Sequence, residues 1–175
     1  YADSYSQSSY FLSSVADSVF LNPNGDVGLQ GYGTVIPFFK RMLDKVGVDF
    51  NVFYAGDFKS ATEPFRREDM SPENRLQTKE FLNGMIKIMK SEVGKSRKIN
   101  ETTLDAIMTD LKGRNGKLAL ENKLVDALVY WDQFEDVVKK KAKLDDKDKI
   151  NYLSIEDYNV LAELTEKGSY KNKIA

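Results

Sequence analysis

The sequence has 175 residues, of which 41% are apolar and 30% charged, with a net charge of -1; this is enough chain for one domain with a core, and no basic field argues for nucleic acid. It contains neither cysteine nor histidine. That excludes disulfide frameworks, thiolate metal sites, Ser-His-Asp triads, Cys-His dyads and histidine-ligated zinc, and leaves carboxylate, lysine or tyrosine to move protons. No run of eighteen apolar residues is present to span a membrane, and no signal peptide is visible. The chain opens on Tyr1, in mid-pattern, so the expectation is a piece of a longer protein.

In chain order, Tyr1 to Leu12 is rich in Ser and Tyr without Pro or Gly, unlike a flexible linker. Its serines are read as a polar helix start or turn. Ser18-Val19-Phe20-Leu21 predicts a short strand ended by the turn Asn22-Pro23-Asn24-Gly25, and Val27 and Leu29 predict a second. Thr34 and Pro37 suit a helix start, with Phe38, Phe39, Met42, Leu43 and Val46 on one face and Gly47 at its end. Phe50, Val52 and Tyr54 alternate as in a strand, and Gly56 breaks it. Asp57 to Met70 reads as a loop.

Ser71-Pro72-Glu73 is a helix start, followed by the stripe Leu76, Phe81, Leu82, Met85, Ile86, Met89 and Val93. Thr102 and Asp105 predict a capping box for a shorter helix with Leu104, Ile107, Met108 and Leu111 inward. Gly113 and Gly116 bracket a turn. Helical spacing is then predicted over 117–128 and again over 132–142, where three lysines end the helix. The run 143–149 is a charged connection, 150–153 a predicted strand, 154–164 a predicted helix, and 165–173 a polar linker. The order of elements argues for an α/β class with an appended helical layer. The expected division is a domain at 1–142 and a connecting region at 143–175.

Four segments, in order, resemble the signal peptide peptidase A family, also called protease IV. Gly56-Asp57-Phe58-Lys59-Ser60-Ala61-Thr62-Glu63-Pro64-Phe65 is similar to its lysine-bearing signature. Asp69-Met70-Ser71-Pro72-Glu73-Asn74-Arg75 is similar to the helix start that follows it. Ala119 to Asp126, and upstream Tyr10 to Gly25, match further segments. The resemblance covers about Tyr1 to Leu128. It implies a crotonase-like (ClpP-like) α/β core with appended helices and a Ser-Lys dyad without histidine. It also implies a long form in which one half supplies the lysine and the other the serine. Lys59 is then the catalytic lysine, and Ser60 an orienting neighbour that hydrogen-bonds its amine. The family's Ser-Gly-Gly-Tyr run departs here. With its tyrosine aligned on Tyr10, Gln7 stands at the nucleophile position and Ser8 and Ser9 replace the glycines. This half is therefore expected not to supply the nucleophile. The tail Lys171 to Ala175 resembles the approach to the first strand of the second half.

A lysine serves as a general base only when uncharged, and about one free lysine in 2,500 is so at neutral pH. Burial disfavours the ammonium. Phe58, Ala61 and Phe65 offer apolar material for a pocket, while Asp57 and Glu63 are expected to point away or to pair with Arg66, Arg67 or Lys40. The implied reaction is hydrolysis of cleaved, apolar signal peptides through an acyl-enzyme, in a homo-oligomer, tetramer favoured, at the bacterial inner membrane and facing outward. No cofactor or metal is implied. Glu68, Asp69 and Glu73 lack histidine and lie beside arginines, and Gly28, Gly31 and Gly33 are not spaced as a phosphate loop. The rival readings are a non-catalytic crotonase-like scaffold and, last, an acyl-CoA binder. The aromatics Phe38, Phe39, Phe50, Phe53 and Tyr54 are read as core, and Lys139 to Lys141 as a solvated helix end.

Overall fold

The computed structural model describes residues 1–53, 55–145 and 147–169, with side chains described as far as 162. Tyr54, and the expected approach to a second half at 171–175, lie outside the described residues. Two compact units are present, Tyr1–Tyr130 and a second that begins at Trp131.

In the first unit, helix α1 (Gln7–Ser13) starts at Ser6, whose side chain accepts the Ser9 N–H, so the serines near its start are helix-capping groups as predicted. Strand β1 (Phe20–Leu21) follows. The predicted strand at Val27 and Leu29 is reduced to a parallel bridge between Tyr5 and Val27. Both side chains are nonetheless buried. Helix α2 (Lys40–Lys45) is shorter than predicted, starts after Phe39 rather than Thr34, and buries none of its residues. Gly47, at φ +71°, ends it in the left-handed region that glycine tolerates.

Residues 49–53 form no strand. No partner strand lies beside them among the described residues, and a strand's backbone groups need such a partner. The aromatics of this region are not core: Phe53 is fully exposed, and Phe39 and Phe50 are exposed. Within the predicted loop the chain forms a 3-10 turn (Ser60–Thr62) running directly into helix α3 (Glu63–Arg66).

Helix α4 (Pro72–Arg97) is the longest element. Ser71 caps it by accepting the Asn74 N–H at 3.1 Å, and Pro72 occupies the first turn, as its sequence requires. Of its apolar stripe only Met89 and Val93 are fully buried, while Leu76 and Phe81 are exposed. The stripe thus meets the core in the C-terminal half of the helix, with Ile86 packed against it as well. Helix α5 (Glu101–Thr109) is capped by Asn100, not by Thr102; the Asn100 carboxamide accepts the Thr103 N–H at 2.8 Å. Leu104, Ile107 and Met108 point inward as predicted, but Leu111 has φ +52° and is exposed. Helix α6 (Gly116–Glu121) stops well short of the predicted Leu128.

Leu124 and Val125 are buried, and β2 (Ala127–Leu128) pairs in parallel with β1, Phe20 opposite Ala127 and Leu21 opposite Leu128. Helical spacing of apolar residues and a short buried strand are indistinguishable over so few residues. The core gathers Tyr10, Val19, Leu21, Val27 and Leu29 with Met89, Val93, Leu104, Ile107, Ala119 and Leu124. Gly113 lets the Val27 backbone approach, since a Cβ there would lie 2.1 Å from Val27 O.

The second unit holds α7 (Trp131–Ala142) and α8 (Ile155–Ser169). Residues 150–153 form no strand. Ser154 caps α8 by accepting the Asp157 N–H at 3.0 Å, and α8 runs past the predicted end at 164. Trp131 packs against Phe134 and Tyr152, with ring centroids 5.6 and 6.0 Å apart.

Candidate active site

Lys59 immediately precedes the 3-10 turn, and its N–H donates to Gly56 O at 3.4 Å. Gly56 has φ +93°, which reverses the chain ahead of the lysine. Lys59 is exposed, and Ser60 half-buried. Among the described residues neither side chain has a hydrogen-bond partner, so the expected Ser60–Lys59 bond is not formed in this chain. Consecutive positions of a helical turn do not face each other. Phe58 and Ala61 are exposed as well, so no apolar pocket closes over the lysine within the described residues.

The cations around Lys59 are mostly engaged. Lys40 pairs with Asp44, Arg41 with Glu68 at 2.6 Å, and Arg67 with Asp69 at 3.3 Å. Arg66 lies 3.9 Å from Glu63. Glu63 was expected to turn away from the lysine or to pair with a neighbouring cation. Beyond the distant Arg66 contact, its carboxylate is 1% exposed and bound by the start of α4. The Ser71 hydroxyl donates to Oε1, the Ser71 N–H to Oε2 at 3.1 Å, and the Asn74 carboxamide to Oε2 at 2.8 Å. Burial by itself would raise the Glu63 carboxyl; the bonds from Ser71 and Asn74, with Arg66 beside, outweigh it and hold the group below its ordinary range. Sequence reasoning missed this cluster. No periodicity links Glu63 to Ser71 and Asn74, and the cap alone accounted for the serine.

The other face of the lysine-bearing segment is held by aromatics. Phe65 stacks on Phe50 and Phe39, at 4.9 and 6.0 Å between centroids, and the Phe39 N–H donates to Pro64 O at 2.7 Å. So Phe39 and Phe50, though not core, brace the segment behind Lys59.

At the expected nucleophile position, Gln7 is the first residue of α1. Its carboxamide oxygen accepts the N–H groups of Gln30 (3.0 Å) and Gly31 (2.7 Å), and its nitrogen donates to Gly31 O at 2.9 Å. Ser6 and Ser9 bond each other. Among the described residues no hydroxyl of Ser6, Ser8 or Ser9 meets a lysine. Tyr10, the aligned tyrosine, is fully buried, and its hydroxyl donates to Leu124 O at 2.8 Å. Burial pushes that phenol up. A polar groove of about 590 Å³ lies elsewhere, between Val15, Arg97, Lys123 and Asp126, and includes neither Lys59 nor Ser60.

Among the described residues no cluster of acidic side chains is arranged for a metal, and no helix is long and apolar enough to cross a membrane.

The profile of Peptidase family S49 matches residues 1–145. Protease 4 of Salmonella typhi is 36% identical over 146 residues, covering 79% of this chain and 24% of that protein. Protease 4 of Haemophilus influenzae is 35% identical over 186 aligned positions, covering 100% of this chain and 30% of that protein. The chain therefore spans about a quarter to a third of the length of these relatives. With the family profile matched over residues 1–145 and two relatives at 36% and 35% identity, this chain belongs to peptidase family S49, as a protein of the protease IV type.

Proposed function

We propose that this chain contributes Lys59 as the general base of a Ser-Lys peptidase with a crotonase-like core, and that the nucleophilic serine comes from another part of the protein, a second half or another subunit. The observation that carries the reading is the state of Lys59. It stands at the tip of a segment braced on both faces, yet its amine has no carboxylate partner among the described residues while Lys40, Arg41, Arg66 and Arg67 do. A base must shed its proton, and a nearby anion opposes that. Cover by the serine-bearing part removes water from the amine and favours the neutral form. Neutral Lys59 then takes the proton of the serine hydroxyl as it attacks the scissile carbonyl, and passes it to the leaving amine. Ser60, next in the chain, becomes an orienting hydroxyl once that cover restrains the lysine.

The substrate class is apolar, extended peptide, cleaved signal peptides foremost. Such segments bind by adding to a strand edge. The setting is the bacterial envelope, in a homo-oligomer, with a tetramer favoured. The competing reading, a non-catalytic crotonase-like scaffold, draws on the exposure of Lys59 in this chain. Lys59→Ala in the intact protein separates the two. On an apolar peptide the catalytic reading expects turnover to fall by at least about 100-fold, and unchanged turnover leaves only the scaffold.

A further inference from the structure

A carboxylate taken out of water is costly unless hydrogen bonds replace the lost hydration. Glu63 meets that requirement with three donors, and all three come from the first turn of α4. The Ser71 hydroxyl accepts the Asn74 N–H at 3.1 Å, so its own proton is left to point at Glu63. Asn74, itself buried, gives its amide nitrogen to Glu63 and accepts the Thr78 hydroxyl at 3.2 Å through its oxygen. The bonds thus form one connected path from Glu63 into a 26-residue helix. Between Glu63 and Lys59 lies only the 3-10 turn Ser60–Thr62. The backbone that carries the lysine is therefore referenced to the most extended rigid element of the unit.

We propose that Glu63 is a positioning residue for the reaction: by locking the segment 60–66 to Ser71 and Asn74 at the start of α4, it sets where the Lys59 amine stands relative to an incoming serine. This rests on the general-base reading of Lys59. Glu63 touches neither substrate nor nucleophile; it acts through the turn it holds. Gln in its place removes the charge that strengthens these bonds, and its N–H₂ group takes the place of the oxygen that now accepts the Ser71 hydroxyl, so that hydroxyl must turn and accept instead.

The test uses the intact protein with Glu63→Gln, Ser71→Ala, Ser71→Thr and, as a remote structural control, Asp126→Asn. Kinetics are followed on an apolar peptide, and the ¹³C resonance of reductively dimethylated Lys59 is followed by NMR, assigned by its loss in Lys59→Ala. A misplacement of about 1 Å costs about 100-fold in rate. Glu63→Gln is accordingly expected to lower kcat by about 10- to 100-fold with KM within about threefold, and to shift the Lys59 resonance. Ser71→Ala falls part of the way, and Ser71→Thr, which keeps the hydroxyl, restores wild-type behaviour. Asp126→Asn leaves kcat within about twofold. An unmoved resonance with kcat near wild type in Glu63→Gln overturns the proposal, as does an equal loss of kcat in Asp126→Asn. Should Glu63→Gln not fold, the Ser71→Ala and Ser71→Thr pair decides on the same readouts, with equal rates and resonances refuting. If Lys59→Ala keeps full turnover, the general-base reading fails, while the resonance in Glu63→Gln still decides whether Glu63 places the lysine.

Discussion

Replacing Asp126 by Asn should destabilise the first unit by about 2 kcal/mol at neutral pH. The Asp126 carboxylate accepts three bonds: from Arg97 at 3.0 and 2.9 Å, and from the Val19 N–H at 2.7 Å. Arg97, 7% exposed in its side chain, also donates to Lys123 O at 3.2 and 3.1 Å. The pair ties the C-terminal end of α4 to the start of β1 and to the residues before β2. An amide offers one acceptor oxygen where the carboxylate has two, and sets its N–H₂ against a donor. A hydrogen bond to a charged group contributes about 1.5–3 kcal/mol. The Asp126 side chain is 41% exposed, so solvent screening reduces the sum to about 2 kcal/mol.

The pH dependence has a definite sign. Hydrogen bonding by Arg97 lowers the Asp126 carboxyl below its ordinary value, against a smaller opposing effect of burial. A group depressed in the folded state contributes fully above its unfolded pKa, about 3.9 for aspartate, and loses that contribution as pH falls through the folded value. Urea unfolding of wild type and variant from pH 7 downward measures the gap. It should be flat above about pH 5 and narrow below about pH 4. The double variant with Arg97→Met should be no less stable than Asp126→Asn alone, because it removes the cation left without its partner. A gap under about 0.5 kcal/mol at pH 7, within the ordinary scatter of surface substitutions, or one that widens on acidification, refutes the argument.

Tyr10→Phe strands the buried Leu124 carbonyl that the phenol now satisfies. The expected cost is about 1–2 kcal/mol by urea unfolding, with no change in KM for an apolar peptide. Gln7→Ser places a hydroxyl at the position where the family resemblance puts a nucleophile, but removes a carboxamide bonded to Gln30 and Gly31. It should lower stability by about 1–3 kcal/mol and give no new acylation by a serine-directed phosphonate, since no lysine meets the neighbouring serines among the described residues; labelling at that position would contradict this.

Elements with a strong local code were legible in the sequence. The α4 start was readable because a hydroxyl cap followed by proline satisfies and pre-sets the first turn whatever the tertiary surroundings. Helix α7 was readable, with the lysine-rich last turn that suits a helix end. What failed was decided by neighbours. Asn100 took the cap from Thr102 because either residue type can serve, and the geometry of the incoming chain selects between them. Ala127 and Leu128 became a short strand, not the end of a helix, because β1 was available as a partner. Residues 49–53 did not, for want of one. In the candidate site Lys59 was legible only through the motif around it. The Glu63 cluster was not, because it joins two segments eight to eleven residues apart by side-chain bonds with no periodicity to reveal them.

Among the described residues, neither an apolar cover nor a hydroxyl in hydrogen-bond contact lies against the Lys59 amine. On the proposed reading both arrive with one surface, the part that carries the serine. That has a consequence for control. An amine accepts a proton only after shedding its own, and removal of water favours that loss. Docking of the serine-bearing surface desolvates the amine and delivers its proton donor in one event, so base and nucleophile become competent together. The demand on this chain is then stiffness more than pocket-building: the lysine must wait in the right place without a wall to hold it. A turn braced by stacked rings on one side and by a buried carboxylate locked to a long helix on the other is suited to that task.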